Sequence, residues 1–115
     1  MDAAQEHYRA SAEIYRRLHN PLKTAHTLRH AADIYRERST RDESERLYVE
    51  ALEIYRDHPG TPPLDLGNAI RGYALLKEDT GDRAQALALW REVNDLYELA
   101  GIAESRRRIG LLSGE

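Results

Sequence analysis

The stretch TLRHAADIYRERSTRDESERLYVEALEI, from Thr27 to Ile54, decides how the rest of the chain reads. It is echoed from Asn68 onward by NAIRGYALLKEDTGDRAQALALWREVNDL. Ser39 of the first copy falls on Gly81 of the second, an offset of 42 residues (81 less 39). A period of that size marks stacked supersecondary units, because one such unit cannot bury its own apolar face alone. Function in such arrays usually lies in the surface the stack creates, not in a catalytic pocket.

The punctuation around the copies predicts helices at about 3–18, 21–38, 41–57, 62–80, 83–100 and 103–112. Asn20-Pro21 reads as an N-cap followed by a first-turn proline. Thr40 and Glu43 have the T-x-x-E spacing of a capping box. His58-Pro59-Gly60-Thr61-Pro62-Pro63 is the clearest break, and Thr61-Pro62 can start the next helix. Gly81 suits a left-handed helix end, and Asp82 with Gln85 suits the following start. Gly101 closes the fifth helix. Loops of a few residues make consecutive helices antiparallel neighbours. The expectation is an all-α chain of six antiparallel helices forming one domain over 1–115.

Composition agrees. The chain has 115 residues, 41% hydrophobic and 32% charged, with a net charge of −3. It has no cysteine, so it has no disulfide, thiolate site or cysteine nucleophile. A nucleic-acid partner is not expected, since the strongly basic footprint is missing. No apolar run approaches the roughly 18 residues of a membrane span, and MDAAQEHYRA lacks the apolar core of a signal peptide. The expected setting is the cytoplasm. Met1 reads as a natural start, while the end at Glu115 fits either a whole chain or a piece of a longer one.

Leu28, Ala31, Ala32 and Tyr35, followed by Ser44, Tyr48 and Ala51, resemble the A and B helices of a tetratricopeptide repeat. Its kinesin-light-chain-type subclass has a comparable period. Ile70, Tyr73 and Ala74, then Ala86, Trp90 and Val93, fit the same pattern, with Gly81-Asp82 as the inter-helix turn; Lys77 departs from the usual aromatic. Ala4, Tyr8, Ser11 and Ile14-Tyr15 echo a B helix, and Ile109-Gly110-Leu111-Leu112 echoes an A helix. The order becomes B, A-B, A-B, A. The resemblance implies a right-handed α-α superhelix that binds a protein or peptide on its concave face and catalyses nothing. Small Ala32 and Ala74 would let paired helices approach, and Tyr48 and Trp90 would fill the space between them.

If helices two, four and six line the groove, the candidate binding residues are His26, Arg29, His30 and Asp33, then Asn68, Arg71 and Leu75, then Arg107 and Arg108. Arg36, Glu37, Gly72, Glu78, Asp79 and Glu104 border them. Arginines gather toward one part and acids toward the other, which suggests a peptide partner with an acidic group. The competing reading is that these charges are solvated and pair with one another. The lysine and asparagine clamp that some family members use for C-terminal carboxylates is not reproduced: Asp33 and Gly72 stand where asparagines are expected.

Other patterns carry less. His26 and His30 have the i,i+4 spacing of a two-histidine metal site. No carboxylate or cysteine completes it, and Thr27 stands where an HExxH glutamate would be, so the pair reads as structural or surface. No metal and no cofactor are expected. Arg106-Arg107-Arg108 reads as a solvated helix end. Tyr15, Tyr35 and Tyr55 recur every 20 residues as IYR; core packing accounts for this better than base stacking. Ser39, Thr40 and Ser44 have no histidine and acid to activate them. Gly60, Gly67 and Gly72 form no phosphate loop. Tyr8, Ile14, Tyr15 and Leu18 at one end, with Ile102, Ile109, Leu111 and Leu112 at the other, either face inward or join two copies into a homodimer. The chain is therefore expected to be an interaction module, the alternatives being a self-assembling structural module or a regulatory fragment of a larger repeat protein.

Overall fold

The computed structural model describes residues 3–98 and 104–113, and for residues 4, 5 and 104–108 the backbone alone. Its elements are α1 (Ala3–Arg17), α2 (Pro21–Glu37), α3 (Arg41–Asp57), α4 (Pro63–Asp79), α5 (Arg83–Glu98) and α6 (Glu104–Ser113). Six helices and no strand, among the described residues, make an all-α helical repeat fold. Ile102 and Arg107 and Arg108 as side chains lie outside that description, as do the expected last residues of the fifth helix and Gly101.

Two compact units divide the chain, Met1–Thr61 and Pro62–Glu115. In the first, α2 packs on both α1 and α3; in the second, α5 packs on both α4 and α6.

The helices form because their apolar residues return every three or four positions and lie on one side. In α2 the buried set is Thr24, Ala25, Thr27, Leu28, Ala31, Ala32 and Tyr35. In α3 it is Ser44, Leu47, Tyr48, Ala51, Leu52 and Tyr55. Ala32, Tyr48, Ala74 and Trp90 are each wholly buried, as residues that pack helix crossings must be. Ser44 is also fully buried and donates to the Ala32 carbonyl at 2.9 Å, which satisfies its hydroxyl without opening the α2–α3 contact. In α4, Gly67 serves a close approach: a Cβ there would stand 2.7 Å from the Tyr97 ring of α5.

Three of the inter-helix turns share one construction. His19, Ser39 and Gly81 adopt φ of 53°, 60° and 83°, the left-handed region. The residue after each sends its N–H back five positions: Asn20 to Tyr15, Thr40 to Tyr35 and Asp82 to Lys77, at 2.9, 2.8 and 2.9 Å. This is the Schellman closure, and its last residue is also the next helix's N-cap. Asn20 caps through its side chain, accepting from the Lys23 N–H at 3.3 Å, and Asp82 accepts from the Gln85 N–H at 3.1 Å.

Two local expectations are corrected. Thr40 makes no side-chain cap bond. Its N–H is already used by Tyr35, and the Glu43 carboxylate is drawn instead to Arg9, at 3.0 Å, and to Arg46. Thr61 does not cap α4, whose N-cap is Pro62. Its hydroxyl closes α3, donating to the carbonyls of Tyr55 at 2.8 Å and His58 at 2.9 Å.

Candidate functional site

The face of α2 opposite its core stripe gathers four of the residues expected to bind a partner. His26 is exposed, while Arg29, His30 and Asp33 are half-buried. One helical turn separates His26 from His30 and Arg29 from Asp33, so each pair lies side by side. The Nε2 atoms of His26 and His30 are 3.0 Å apart, with the rings edge to face at 4.4 Å and 77°. Arg29 reaches both ways. One Nη2 donates to His30 Nε2 at 3.2 Å, and Nη1 donates to Asp33 Oδ2 at 3.3 Å.

These contacts fix the histidine tautomers. A guanidinium only donates, so His30 Nε2 accepts and its ring proton sits on Nδ1. His26 must then donate from Nε2. Tyr8 of α1 stacks on His30 with centroids 5.8 Å apart and planes at 11°. Burial lowers the His30 pKa, and the charges of Arg29 and of a protonated His26 lower it further, against the opposing pull of Asp33.

Below this cluster the network turns inward. The Tyr48 hydroxyl of α3 donates to Asp33 Oδ1. Arg36 Nε donates to the same hydroxyl at 3.1 Å, and its Nη2 stands 3.9 Å from Asp33. Burial raises the Tyr48 pKa, and Asp33 raises it further by its charge and by accepting the proton, while Arg36 opposes both. The sequence places Arg29 and Asp33 in opposite parts of a groove, whereas the structure pairs them. Arg29 remains incompletely used: its side chain is 16% exposed, and its buried Nε has no hydrogen-bond partner. A buried guanidinium N–H without an acceptor is costly.

The expected residues of α4 lie in the second unit. Asn68, Arg71 and Leu75 are each half-buried. Asn68 Oδ1 accepts from the Tyr97 hydroxyl of α5. Beyond them, Glu78 accepts from the Trp90 Nε1 at 2.6 Å, and the Lys77 ammonium lies 5.1 Å over the Tyr73 ring. Arg107, Arg108 and Glu104 are outside the described side chains.

Two parts of this arrangement were missed in the sequence: the stack of Tyr8 on His30 and the role of Tyr48 as a hub. A signal for the second exists. The chain has seven tyrosines and no phenylalanine. A buried tyrosine needs a partner for its hydroxyl. Asp33, Arg36 and Asn68 are those partners, so residues expected to face a ligand also serve the core.

A cleft of about 450 Å³ opens elsewhere, at the α1–α2 turn, lined by Arg16, His19, Asn20, Pro21, Thr24 and Ile54. It is not the home of the α2 cluster, and its Arg16 is already paired with Glu50. Among the described residues, no helix is long and apolar enough to cross a membrane, and no group of three or more histidines and acids could hold a metal ion.

The tetratricopeptide repeat family model matches residues 1–57. No curated protein and no solved structure matches the chain.

Proposed function

We propose, from the premise that residues 1–57 belong to the tetratricopeptide repeat family, that the chain is a non-catalytic module binding a protein or peptide segment with an acidic group. Repeats of this family generally mediate protein–protein interaction. The observation that carries the reading is Arg29. It is largely buried, keeps an unpartnered Nε, and stands beside two imidazoles on one helix face. A carboxylate arriving from solvent would meet His26 first and would then compete with His30 and Asp33 for the guanidinium, whose planar fork suits it. In the second unit, Asn68, Arg71, Leu75, Arg107 and Arg108 are proposed, separately, as peptide contacts of that unit's own.

We take α2–α3 and α4–α5 as successive copies with a period of 42 residues, of the kinesin-light-chain type. Two facts support it. Ser39 and Gly81 occupy the same left-handed turn position. Arg36 with Tyr48, and Glu78 with Trp90, form hydrogen bonds across the same 12-residue separation. A cytoplasmic setting completes the reading.

The test is binding of acidic and basic peptide pools to immobilised protein at two salt concentrations. Acidic peptides should bind better, more weakly at high salt, and Arg29→Glu should reduce their affinity about tenfold or more. Equal, salt-insensitive binding of both pools would refute the acidic-ligand reading.

A second reading, self-association through α1, is favoured by one observation: Ile14 is 55% exposed and Leu18 68% exposed at the end of that helix. Light scattering over a range of concentrations should then show a dimer that Ile14→Glu abolishes. A monomer throughout would exclude it.

A further inference from the structure

The two histidines on α2 have a geometry that their spacing alone does not disclose. From the sequence the pair has no completing ligand and reads as a surface feature. In the structure the two rings converge, with Nε2 atoms 3.0 Å apart. Two imidazole nitrogens bound to one ion at about 2.0–2.1 Å would be separated by about 2.9 Å at a right angle and about 3.3 Å at a tetrahedral angle. The nitrogen separation is therefore close to the right-angle value, and a small turn of the exposed His26 ring would aim both lone pairs at one ion.

We propose that His26 and His30 form a bidentate site for a borderline divalent transition-metal ion, with Cu(II) preferred over Ni(II) and Zn(II). Imidazole is the donor those ions favour, a right-angle bite suits tetragonal coordination, and Cu(II) heads the affinity order. His26 is exposed, so an ion can enter from solvent, and its remaining positions are left to water. Tyr8, stacked on His30, fixes the second ring against α1, so little ring freedom is lost on binding. The ion requires two lone pairs. His30 Nε2 holds one, which its contacts to Arg29 and His26 must release, and His26 presents the other once its proton moves to Nδ1.

Arg29 competes for the site. Its Nη2 occupies the His30 lone pair at 3.2 Å, and its charge repels a cation. It has another partner to retain, Asp33 at 3.3 Å, so release of His30 leaves the guanidinium paired. Arg29 is thus a gate on the chelate, and its removal has a sign opposite to the loss of a ligand. This separates a true two-histidine site from scattered surface binding. The inference stands independently of the peptide reading, which needs Arg29 and is weakened by its loss.

The experiment is titration of the whole chain with CuCl2, followed by calorimetry and by electron paramagnetic resonance. A one-to-one complex with a two-nitrogen hyperfine pattern is expected. His26→Gln and His30→Gln should each weaken binding about tenfold or more. Arg29→Gln should strengthen it severalfold. His7→Gln and His19→Gln should leave it unchanged. Circular dichroism of each variant reports whether the helices persist; His26→Gln alters an exposed residue, so it tests the site even if His30→Gln unfolds. Full affinity in His26→Gln, a loss in His7→Gln or His19→Gln, or weaker binding in Arg29→Gln would each overturn the assignment.

Discussion

Tyr48 shows how one hydroxyl couples the core to the surface. Its ring is fully buried, and its oxygen meets Asp33 and Arg36, both on the accessible side of α2. Tyr48→Phe keeps the packing and removes the hub. The expected loss is about 1–3 kcal/mol, read from urea unfolding, because two polar partners lose a bond at once. The hydroxyl also holds its proton to higher pH in the folded chain than in the unfolded one. Its stabilisation is complete below the unfolded value of about 10 and is lost as pH rises from there toward the folded value. Unfolding midpoints should therefore fall above that pH in the parent, and less steeply in Tyr48→Phe. The sequence marked Tyr48 as a packing residue, correctly, since spacing reports burial. Which atoms its oxygen touches depends on the crossing of α2 and α3, which spacing does not encode.

At the scale of elements, the turns carry the clearest lesson. Asn20 and Asp82 were readable as caps because cap chemistry is local. The capping box at Thr40 and Glu43 was not realised, because Arg9 lies 34 positions away from Glu43 and no local pattern announces it. His19 and Ser39 hide the same left-handed turn that Gly81 declares openly. A side chain in that conformation costs about 1–2 kcal/mol relative to the right-handed region. Ser39→Gly should accordingly stabilise the chain by about 0.5–1 kcal/mol, and Gly81→Ala should destabilise it by a similar amount. Thermal midpoints moving in opposite directions would check the pair; Ser39→Gly with no gain would mean its side chain has another task.

For the molecule as a whole, each unit has its own core, one around Tyr48 and the other around Trp90. In repeat proteins such local cores open separately. Gly67→Ala would force Cβ against the Tyr97 ring and should cost about 1–3 kcal/mol. Hydrogen exchange should speed up in α4 and α5 while the amides of α2 and α3 keep their protection. Equal loss everywhere would mean that the chain opens as one block. The number and kind of helices were legible because a 3.6-residue stripe and its punctuation are written locally. The candidate binding face was legible only as a list of residues. Arg29 and Asp33 pair with each other, a fact that follows from side-chain reach and not from order in the chain.

The two hydrogen bonds across 12 residues run in opposite senses. In the first hairpin the earlier helix donates, Arg36 to Tyr48; in the second it accepts, Glu78 from Trp90. Exchanging α3 for α5 would set Arg36 against an indole N–H and Glu78 against a phenol that Asp33 no longer orients. The first of these is donor against donor. The hairpins are thus alike in the place of this bond and opposite in its sense.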